Sequence, residues 1–364
     1  MVDIVLLRSN SVIYDPRVGK IIRSLSKRYS VEALGWNREG ISSETIGNYT
    51  VNLKLFRLKA PFGKLSIVLY LPFFWIWVFF KLVSIRPMVV HACDLDTVFP
   101  CYIYRSLFRK KLVFDVFDRY AMAFIPLKFK FLYKLANSCE ESLCNKSNVL
   151  IVVAENILET FKRCPKNYII IRNCPEKYEV KRKSKDDDVL ILVYTGIIIR
   201  NRGLERITEA IKNLSGVRLV MAGRVIDQEF LNQILEFSNV EYKGIMTHNE
   251  SLELEASADV MMILYDLAIP IHRVANPNKT FEAMMFGMPV ITNVTRALVN
   301  EAGCGIFVDY NNLEEIKSAI IRLRDDVELR KRLGDYGRIA FEQKYNWVIM
   351  EKELYKVYER LLKE

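Results

Sequence analysis

The sequence lacks the patterns that mark disulfide frameworks, metal centres and secreted chains. It holds seven cysteines, an odd number, with no Cys-x-x-Cys pair, and only three histidines. Its amino terminus, with the acidic Asp3 in an apolar run, is typical of a first β-strand and not of a signal peptide. Reduced thiols in a cytoplasmic enzyme are the simplest interpretation, and we expect no bound metal.

Glycine is missing from the first strand-to-helix turn. Residues 8–17 contain none, and the first glycine follows at Gly19. Dinucleotide fingerprints and P-loops need glycine there so that the backbone can approach a phosphate. The turn therefore excludes an NAD or FAD enzyme and a P-loop protein. The sequence has no zinc-finger spacing or RNA-recognition motif either, so we expect no nucleic-acid partner.

An uncharged apolar run, residues 65–80, is too short to cross a bilayer. It has sixteen residues and contains Pro72, whereas a spanning helix needs about 20. We interpret it as a helix that packs on a sheet and offers Trp75, Trp77 and neighbouring phenylalanines to a membrane interface. A wholly buried core helix explains the run equally well.

The charge is unevenly distributed. Residues 1–185 hold 31 Lys/Arg and 15 Asp/Glu, whereas residues 186–364 hold 22 and 28, so that the halves carry +16 and −6. Basic residues of the first half stand among aromatic ones, as in the run from Lys128 to Lys134. This mixture favours an anionic membrane surface as a partner, and a peripheral position on the cytoplasmic face. Ordinary solvated helix faces are the alternative.

Strand and helix patterns alternate along the chain, stop at the polar run 181–188, and then resume. The alternation predicts an α/β fold with a doubly wound parallel sheet in each half. The polar run predicts a linker between domains of residues 1–180 and 181–346. Helices are predicted in the first half at residues 16–28, 65–84, 97–108, 127–145 and 155–163.

One helix start, near residue 277, is suited to hold an anion. Asn276 can cap the helix, and Pro277 suits its first position, where a missing N–H has no consequence. The amides of Asn278 and Lys279 would then point outward at the positive end of the helix dipole. Lys279 adds a full positive charge. This pattern predicts a phosphate-binding helix start.

Glu282 follows in the first turn of the same helix. A carboxylate can accept hydrogen bonds from two hydroxyls of a ribose. Phosphate cradle, cation and diol acceptor together predict a nucleotide-sugar site. A well-capped surface helix is the alternative.

A second anion-binding start is predicted after the first strand of the second half. In the turn that contains Gly196, Asn201 can cap the helix that starts near Gly203, and Arg202 stands at the positive end of that helix. Both helix starts follow strands of one predicted sheet. We therefore expect Arg202 and Lys279 to share one phosphate site.

The chain resembles glycosyltransferase family 4, of the GT-B fold, over nearly its whole length. The matching pieces of the second half are Thr195-Gly196, Arg202-Gly-Leu-Glu205, Ala222-Gly223, Asn278-Lys-Thr-Phe-Glu-Ala283 and Gly287-Met-Pro-Val-Ile291. Those of the first half are Asp15-Pro-Arg-Val18, His91-Ala-Cys-Asp-Leu-Asp96, Phe114-Asp-Val-Phe-Asp118 and Asn173-Cys-Pro175.

The resemblance implies two Rossmann-like domains that face each other across a cleft, with the C-terminal helix 347–364 packing back on the first. It implies transfer of a sugar, with retention and without an essential metal or other cofactor, from a nucleotide sugar such as a UDP- or GDP-sugar. We expect the acceptor to be a lipid-linked or membrane-proximal glycan.

The resemblance also implies roles for individual residues. Arg202 and Lys279 would stabilise the diphosphate leaving group, Glu282 would hold the ribose, and the amide of Thr280 would face the phosphates. Residues expected on the nucleotide side are Gly196, Gly223, Asn278, Thr280 and Glu282.

First-half residues are implied on the other side of the cleft. His91 and Asp94 would line the sugar side, and Asp15, Arg17 and Asp118 would face the acceptor. A satisfied core histidine is the alternative for His91, and a plain helix-start residue is the alternative for Arg17.

The sequence departs from the family at three positions. Val274 stands where members have a glutamate eight residues before the ribose glutamate, Ile197 replaces a frequent arginine, and Cys93 replaces a histidine. The sugar hydroxyls would then be held by Asp266 or by backbone near His272.

Two other functions remain open. A nucleotide-sugar 2-epimerase of the same architecture would need no acceptor. A non-catalytic partner subunit of a membrane glycosyltransferase would fit the valine at position 274.

Overall fold

A computed structural model describes residues 2–13, 15–38, 40, 51–61, 65–179 and 189–363. The chain divides into two compact units. The first comprises Met1–Asn173 and Met350–Glu364, and the second comprises Cys174–Ile349. The polar run 181–188, which the sequence predicts as a linker, lies outside the described residues.

The described strands of the first unit form one parallel sheet of seven. They are β1 (Ile4–Leu7), β2 (Val31–Trp36), β3 (Asn52–Phe56), β4 (Val89–Cys93), β5 (Lys111–Val116), β6 (Val149–Val152) and β7 (Tyr168–Ile170). Their order is β3-β2-β1-β4-β5-β6-β7. The order reverses between β1 and β4, and such a switch point leaves a crevice at the carboxyl ends of the strands.

Helices cover both faces of this sheet. They are α1 (Pro16–Ser26), α2 (Leu71–Ile85), α3 (Leu95–Phe108), α4 (Tyr120–Phe124), α5 (Lys130–Lys146) and α6 (Glu155–Leu158). Helices α2, α3 and α5 bury apolar side chains against one face, where Val5, Val90 and Phe114 contribute to the same core. No helix among the described residues is both long enough and apolar enough to span a bilayer.

The apolar run of residues 65–80 is not one helix. A 3₁₀ turn covers Leu65–Leu69, and α2 begins at Leu71 with Pro72 in its first turn, where no backbone N–H is needed. The neighbouring phenylalanines Phe73 and Phe80 are exposed, but the expectation that Trp75 and Trp77 face outward is wrong. Both are partly buried against the core: Trp75 Nε1 donates to the carbonyl of Asp96 at 2.7 Å, and the ring of Trp77 stacks 6.2 Å from that of Phe74.

Other helix boundaries also differ from the predictions. The predicted helix 127–145 starts at Lys130, after the separate short helix α4, and the predicted helix 155–163 is the single turn α6. These segments have few periodic apolar positions, so the contacts made by their ends decide where each helix stops.

The second unit contains a parallel sheet of six described strands. They are β8 (Leu190–Thr195), β9 (Val217–Ala222), β10 (Val240–Tyr242), β11 (Val260–Ile263), β12 (Val290–Thr292) and β13 (Gly305–Phe307). Their order is β10-β9-β8-β11-β12-β13. The switch point therefore lies between β8 and β11, which pair directly.

Helices again alternate with these strands. They are α7 (Leu204–Ile211), α8 (Gln228–Ile234), α9 (His248–Ala256), α10 (Asn278–Met285), α11 (Arg296–Ala302), α12 (Leu313–Asp325), α13 (Val327–Gln343) and α14 (Trp347–Lys363). The core between sheet and helices includes Leu192, Leu219 and Met262 from the strands and Ile207 and Ile320 from the helices.

Helix α14 begins in the second unit, and its residues from Met350 onward belong to the first. There it packs on α1: Tyr355 Oη donates to the carbonyl of Ser24 at 2.9 Å, and Lys27 Nζ lies 2.7 Å from Glu351 Oε1. The α/β alternation predicted from the sequence is confirmed in both units.

Candidate functional site

A cavity lies at the carboxyl ends of β8 and β11, at the switch point of the second sheet. Its volume is about 140 Å³, below the roughly 300–1,000 Å³ of ligand pockets, so it fits part of a nucleotide sugar. Both predicted cations, Arg202 and Lys279, line it. The lining residues are Tyr194, Thr195, Gly196, Ile197, Arg202, Met261, Met262, Ile263, Tyr265 and Lys279.

The loop that carries Arg202 is shaped by glycine. Gly203 has φ +74°, and a Cβ there would lie 2.3 Å from that of Leu264, so a larger residue would be both strained and in collision. Helix α7 begins at Leu204 with Gly203 as its N-cap and no side-chain cap bond. The prediction that Asn201 caps this helix is therefore wrong.

Arg202 has no carboxylate partner in the part of the chain that the structure describes. Its guanidinium lies 4.6 Å from the centre of the Tyr265 ring, a cation–π contact. The backbone of Tyr265 is fixed by Asn293, which exchanges two hydrogen bonds with it, each of 2.8 Å. A partly exposed cation held by an aromatic face stays available for an anionic ligand.

Gly196 and Gly223 bring two loops together. The amide of Gly196 donates to the carbonyl of Ala222 at 2.9 Å. A Cβ at Gly223 would lie 1.8 Å from the carbonyl oxygen of Gly196. Gly223 therefore lets the loop after β9 support the loop after β8, and it is Gly196 that reaches the cavity wall.

The helix start at Lys279 differs from its prediction. Helix α10 begins at Asn278, Pro277 is its N-cap, and no side chain caps it. Asn276 instead donates its side-chain amide to the carbonyl of Val274 at 2.9 Å. The prediction that Asn276 caps the helix is wrong, because its side chain is engaged in its own turn.

Thr280 also lies differently from its prediction. Its amide donates to the carbonyl of Pro277 at 3.1 Å, so in this conformation it does not face a ligand, and that prediction is corrected. Its Oγ1 is buried without a hydrogen-bond partner among the described residues.

Lys279 is held between two buried carboxylates. Its Nζ lies 2.6 Å from Glu255 Oε1 and 2.7 Å from Glu282 Oε2. Burial lowers the pKa of this ammonium, but the two carboxylates outweigh burial and raise the pKa above its ordinary value. Lys279 is therefore charged, and a quarter of its side chain, 25%, remains exposed.

Glu255, which sequence reasoning missed, is the central carboxylate of this cluster. It lies on α9 and is fully buried, and it accepts hydrogen bonds from Thr195 Oγ1 and, at 3.2 Å, from Ser251 Oγ. Burial and the neighbouring Glu282 raise the pKa of Glu255 to about 7. Its second oxygen, Oε2, has no hydrogen-bond partner in the described ranges.

Glu282, the predicted ribose acceptor, is 5% exposed. Burial raises its pKa, but the ion pair with Lys279 outweighs burial and lowers it below the ordinary value. The two glutamates thus titrate as one pair in which Glu255 keeps the proton. In this conformation the carboxylate of Glu282 is already paired with Lys279. Ribose binding by Glu282 therefore stays a prediction.

The loop after β11 contains Val274, one of the three positions at which the sequence departs from the family. Val274 ends a 3₁₀ turn of residues Pro270–Val274. His272 places Nδ1 2.7 Å from the carbonyl oxygen of Asp266. Burial lowers the pKa of His272, so the ring is neutral at pH 7.

The carboxyl ends of the first sheet carry a separate, closed network of charges. Arg17 is buried and donates through Nη2 and Nε to both oxygens of Asp115, at 2.8 and 3.2 Å, and through Nη1 to the carbonyl of Ile171 at 2.8 Å. Asp15 caps α1 by accepting from the amide of Val18 at 3.1 Å, and it accepts from Arg8 Nε at 3.0 Å. Roles of Asp15 and Arg17 toward an acceptor stay predictions.

Asp94 lies at the end of β4 in a strained backbone conformation, with φ 64° and ψ 169°. Its carboxylate accepts from the amide of Phe117 at 2.9 Å and pairs with Arg8. Such conformations persist only where neighbours enforce them, and they cluster at functional sites. Asp118 lies two residues beyond the end of β5 and is exposed.

His91 is fully buried within the first unit. Its Nδ1 lies 2.5 Å from Tyr358 Oη of α14, and its Nε2 lies 3.4 Å from Asp115 Oδ2. The ring therefore links α14 to the strand ends of the sheet. A contact of His91 with a donor sugar stays a prediction.

The segment that contains the cavity resembles a described family of domains. Residues 176–340 match the family model "Glycosyl transferases group 1". The chain is 25% identical over 203 residues to the capsular polysaccharide biosynthesis glycosyltransferase CapM of Staphylococcus aureus, and the alignment covers 52% of this chain and 50% of CapM. It is 24% identical over 291 residues to an uncharacterized glycosyltransferase of Methanocaldococcus jannaschii, covering 72% and 71%. The chain thus aligns with about half the length of CapM.

Solved structures resemble the whole chain at low identity. Sucrose-phosphate synthase from Thermosynechococcus elongatus has a TM-score of 0.81 at 15% identity, covering 100% of both chains. Anabaena HepE in complex with UDP and glucose has a TM-score of 0.74 at 13% identity, covering 99% of this chain and 100% of HepE. A putative UDP-N-acetylglucosamine 2-epimerase from Listeria monocytogenes has a TM-score of 0.65 at 10% identity, covering 96% and 94%.

These findings confirm the predicted fold class of two Rossmann-like parallel-sheet units, as in GT-B glycosyltransferases. Residues 176–340, which include the cavity, resemble the domains that this family model describes.

Proposed function

We propose that this protein transfers a sugar from a nucleotide-sugar donor, such as a UDP- or GDP-sugar, to a hydroxyl of an acceptor. The observation that carries the proposal is the cavity at the β8–β11 switch point, which both Arg202 and Lys279 line. The cavity lies inside the segment that matches the glycosyl transferase model. The likeness to HepE, whose structure contains UDP and glucose, supports a nucleotide as the bound group.

The proposed chemistry follows from the two cations. When the bond between sugar and diphosphate breaks, negative charge develops on the diphosphate, and fixed cations at that position lower the barrier. Arg202 supplies a cation without a carboxylate partner among the described residues, whereas Lys279 supplies one that Glu255 and Glu282 hold in place. Because burial raises the pKa of Glu255 to about 7, this carboxyl is partly protonated near neutral pH, and the Lys279 cluster carries little net charge before the donor binds.

We propose that transfer proceeds with retention and without a metal, and that the departing phosphate accepts the acceptor proton. The Asp-x-Asp pattern formed by Asp94 and Asp96 lies in the first unit. Its carboxylates contact Arg8 and the hydroxyl of Ser9 there. Activity should therefore persist in EDTA, and the product should keep the anomeric configuration of the donor. Activity that requires added manganese, or an inverted product, would contradict this.

We propose that the strand ends of the first unit serve the acceptor. Asp15, Arg17 and Asp118 are assigned to the acceptor side, and His91 and Asp94 to the sugar side. The acceptor would be a lipid-linked or glycan hydroxyl at the cytoplasmic face of a membrane. The closed network around Asp94 supports a role as a rigid wall, because its side chains are fixed before any ligand arrives.

The test begins with binding. Purified protein is titrated with UDP and GDP, and with uridine and guanosine as controls that lack phosphate. We expect one diphosphate to bind, and Arg202→Ala to weaken its binding at least about tenfold while the nucleoside is little affected. Equal affinity of the variant and the wild type for both diphosphates would refute the site.

Product analysis then separates the rival functions. A glycosyltransferase forms a sugar product only with an acceptor, whereas an epimerase converts the nucleotide sugar alone. A non-catalytic subunit would bind no nucleotide sugar and form no product. Conversion of the donor in the absence of any acceptor would overturn the proposal in favour of epimerisation.

A further inference from the structure

Helix α2 of the first unit is apolar on two opposite sides. One stripe, formed by Leu71, Phe74, Val78 and Leu82, is buried on the sheet. A second stripe at the same helical spacing, formed by Phe73, Ile76 and Phe80, points away from the core and is 59, 57 and 66% exposed. A surface helix normally presents polar residues on that side. The outer stripe therefore lacks an explanation within the described chain.

The exposed apolar surface continues on neighbouring helices. Helix α3 packs beside α2, with the ring of Phe99 5.0 Å from that of Trp75, and it exposes Leu107 to 65%. Helix α5 packs beside α3. At its amino-terminal end α5 exposes Phe131 to 76% and Leu135 to 48%. The three helices cover the same face of the sheet, so their outer sides form one layer, which we term the α2–α3–α5 surface.

The exposed charge around this surface is mostly positive. Within residues 65–139 the structure describes five exposed basic side chains, and Asp118 is the exposed acidic one. The basic side chains are Arg86, Arg109, Lys128, Lys130 and Lys134. The other acidic residues of this segment are turned inward, as in Asp94 and Asp115. Exposed apolar and basic side chains thus alternate along the start of α5.

We propose that the α2–α3–α5 surface is a docking surface for an anionic lipid bilayer, which it contacts in the plane of the membrane interface. The bilayer would be the partner of the unit that we assign to the acceptor. This role of the surface rests on the proposed function. Large apolar side chains bury into the headgroup boundary, and lysines attract anionic lipid. Protein–protein interfaces are depleted of lysine at their centre, so the lysines of α5 favour a lipid partner over a protein one.

The first experiment measures flotation of the full chain with vesicles of phosphatidylcholine and phosphatidylserine, and with phosphatidylcholine alone. Wild type should float with the anionic vesicles and bind the neutral ones at least ~tenfold more weakly. The triple variant Phe73→Ser, Ile76→Ser, Phe80→Ser should lose most flotation. Since these side chains are exposed, its circular dichroism and melting temperature should match wild type.

A matched control comes from the second unit. Ile245, Val327 and Ile339 are exposed to 76, 53 and 49%, and the triple change of these residues to serine should leave flotation unchanged. Equal loss in both triple variants would mean that general surface apolarity causes binding, and it would overturn the assignment.

A second pair of variants tests the charge. Lys128→Gln, Lys130→Gln, Lys134→Gln should weaken binding to anionic vesicles at least ~tenfold, and added salt should weaken wild type in the same way. Lys212→Gln, Lys243→Gln, Lys331→Gln removes as many exposed lysines from the second unit and should have no effect. Salt-insensitive flotation that the α5 variant leaves intact would contradict the proposal.

The failures of the two proposals are distinguishable. Titration with UDP and GDP tests the cavity without lipid, and flotation tests the surface without a nucleotide. Sedimentation of the full chain without lipid tests whether a second copy of the chain occupies the surface instead. A dimer that the Phe73→Ser, Ile76→Ser, Phe80→Ser variant dissociates, together with no flotation of wild type, would assign the surface to a second copy and overturn the lipid proposal.

Discussion

Charged side chains stand at the carboxyl ends of both sheets, but they are balanced differently. In the first unit each arginine of the network has a carboxylate: Arg17 holds both oxygens of Asp115, and Arg8 lies between Asp15 and Asp94. In the second unit Arg202 rests on an aromatic ring, with no carboxylate partner among the described residues. Of the two cations that line the cavity, Lys279 is the one paired with carboxylates, and it is paired twice.

The difference distinguishes structural from ligand-binding charge. A buried arginine whose three guanidinium nitrogens all donate hydrogen bonds is fixed in place, and its removal destabilises the fold. A cation at a cavity wall without a carboxylate gains most from an arriving anion, because no existing ion pair must be broken. The comparison thus points to the second unit for the diphosphate. It also supports our assignment of the first unit to the acceptor, because its charged side chains are fixed before a ligand binds.

The largest effect is expected from a substitution that breaks the charge network of the first unit. Arg17→Ala leaves Asp115 buried without its cation, and such a loss costs about 3–5 kcal/mol. The free energy of unfolding from urea denaturation should fall by that amount. Lys212→Ala removes one partner of an exposed pair with Glu209 and should change it by less than about 1 kcal/mol. Similar small losses in both variants would show that the first network is not structural.

The next effect separates binding from stability at the cavity. Arg202→Ala should lose about 1.5–3 kcal/mol of affinity for a nucleoside diphosphate while its melting temperature stays at the wild-type value. Lys279→Ala should lose affinity and also melt lower, because it leaves two buried carboxylates facing each other. Calorimetric titration and thermal melting measure the two quantities. If Arg202→Ala lowered the melting temperature as much as Lys279→Ala, the expected difference between a ligand-binding and a structural cation would be contradicted.

A smaller effect is expected from the pH dependence of stability. The pKa of Glu255 is raised to about 7, chiefly by burial and then by Glu282, so the folded chain holds a proton that the unfolded chain releases above its ordinary pKa of 4.5. The stability that this proton contributes is complete below pH 4.5 and is lost as the pH rises to about 7. The slope is at most about 1.4 kcal/mol per pH unit.

Glu255→Gln should flatten this slope, because the amide imitates the protonated acid. Glu253→Gln, on the exposed side of the same helix, should leave it unchanged. Urea denaturation at intervals between pH 4.5 and 7.5 gives the slopes. A wild-type stability that rises through this window by the same amount in all three proteins would rule out a protonated Glu255.

The smallest effect is a gain. Ile197 lines the cavity, is 46% exposed and stands where family 4 members often have arginine. Ile197→Arg should add a partly solvated cation worth about 0.2–1 kcal/mol and so tighten diphosphate binding up to about fivefold. Ile197→Gln, of similar length without charge, should not. No gain from the arginine would place this side chain away from the phosphates.

Local patterns predicted that Arg202 and Lys279 would lie at strand ends of one sheet, and in the structure both line one cavity. The alternation of strands and helices predicts a parallel sheet, and in the structure β8 pairs with β11, which brings the loop of Arg202 near the start of α10. Their approach to one cavity therefore follows from topology. The caps were mispredicted at Asn276 and Asn201, because a cap depends on the direction from which the chain enters the helix. Any Asn before a helix offers the same local signal.

The sequence by itself determined the α/β class, the division into two sheets and the positions of the cations, because periodicity and helix-start residues act over a few neighbouring positions. Tertiary structure alone decided which charges are compensated. Glu255, Thr195 and Lys279 lie far apart in the chain and meet because α9, β8 and α10 pack around one strand end. It also decided which apolar stripe of α2 faces outward, since one side of the helix packs on the sheet and the other side stays exposed.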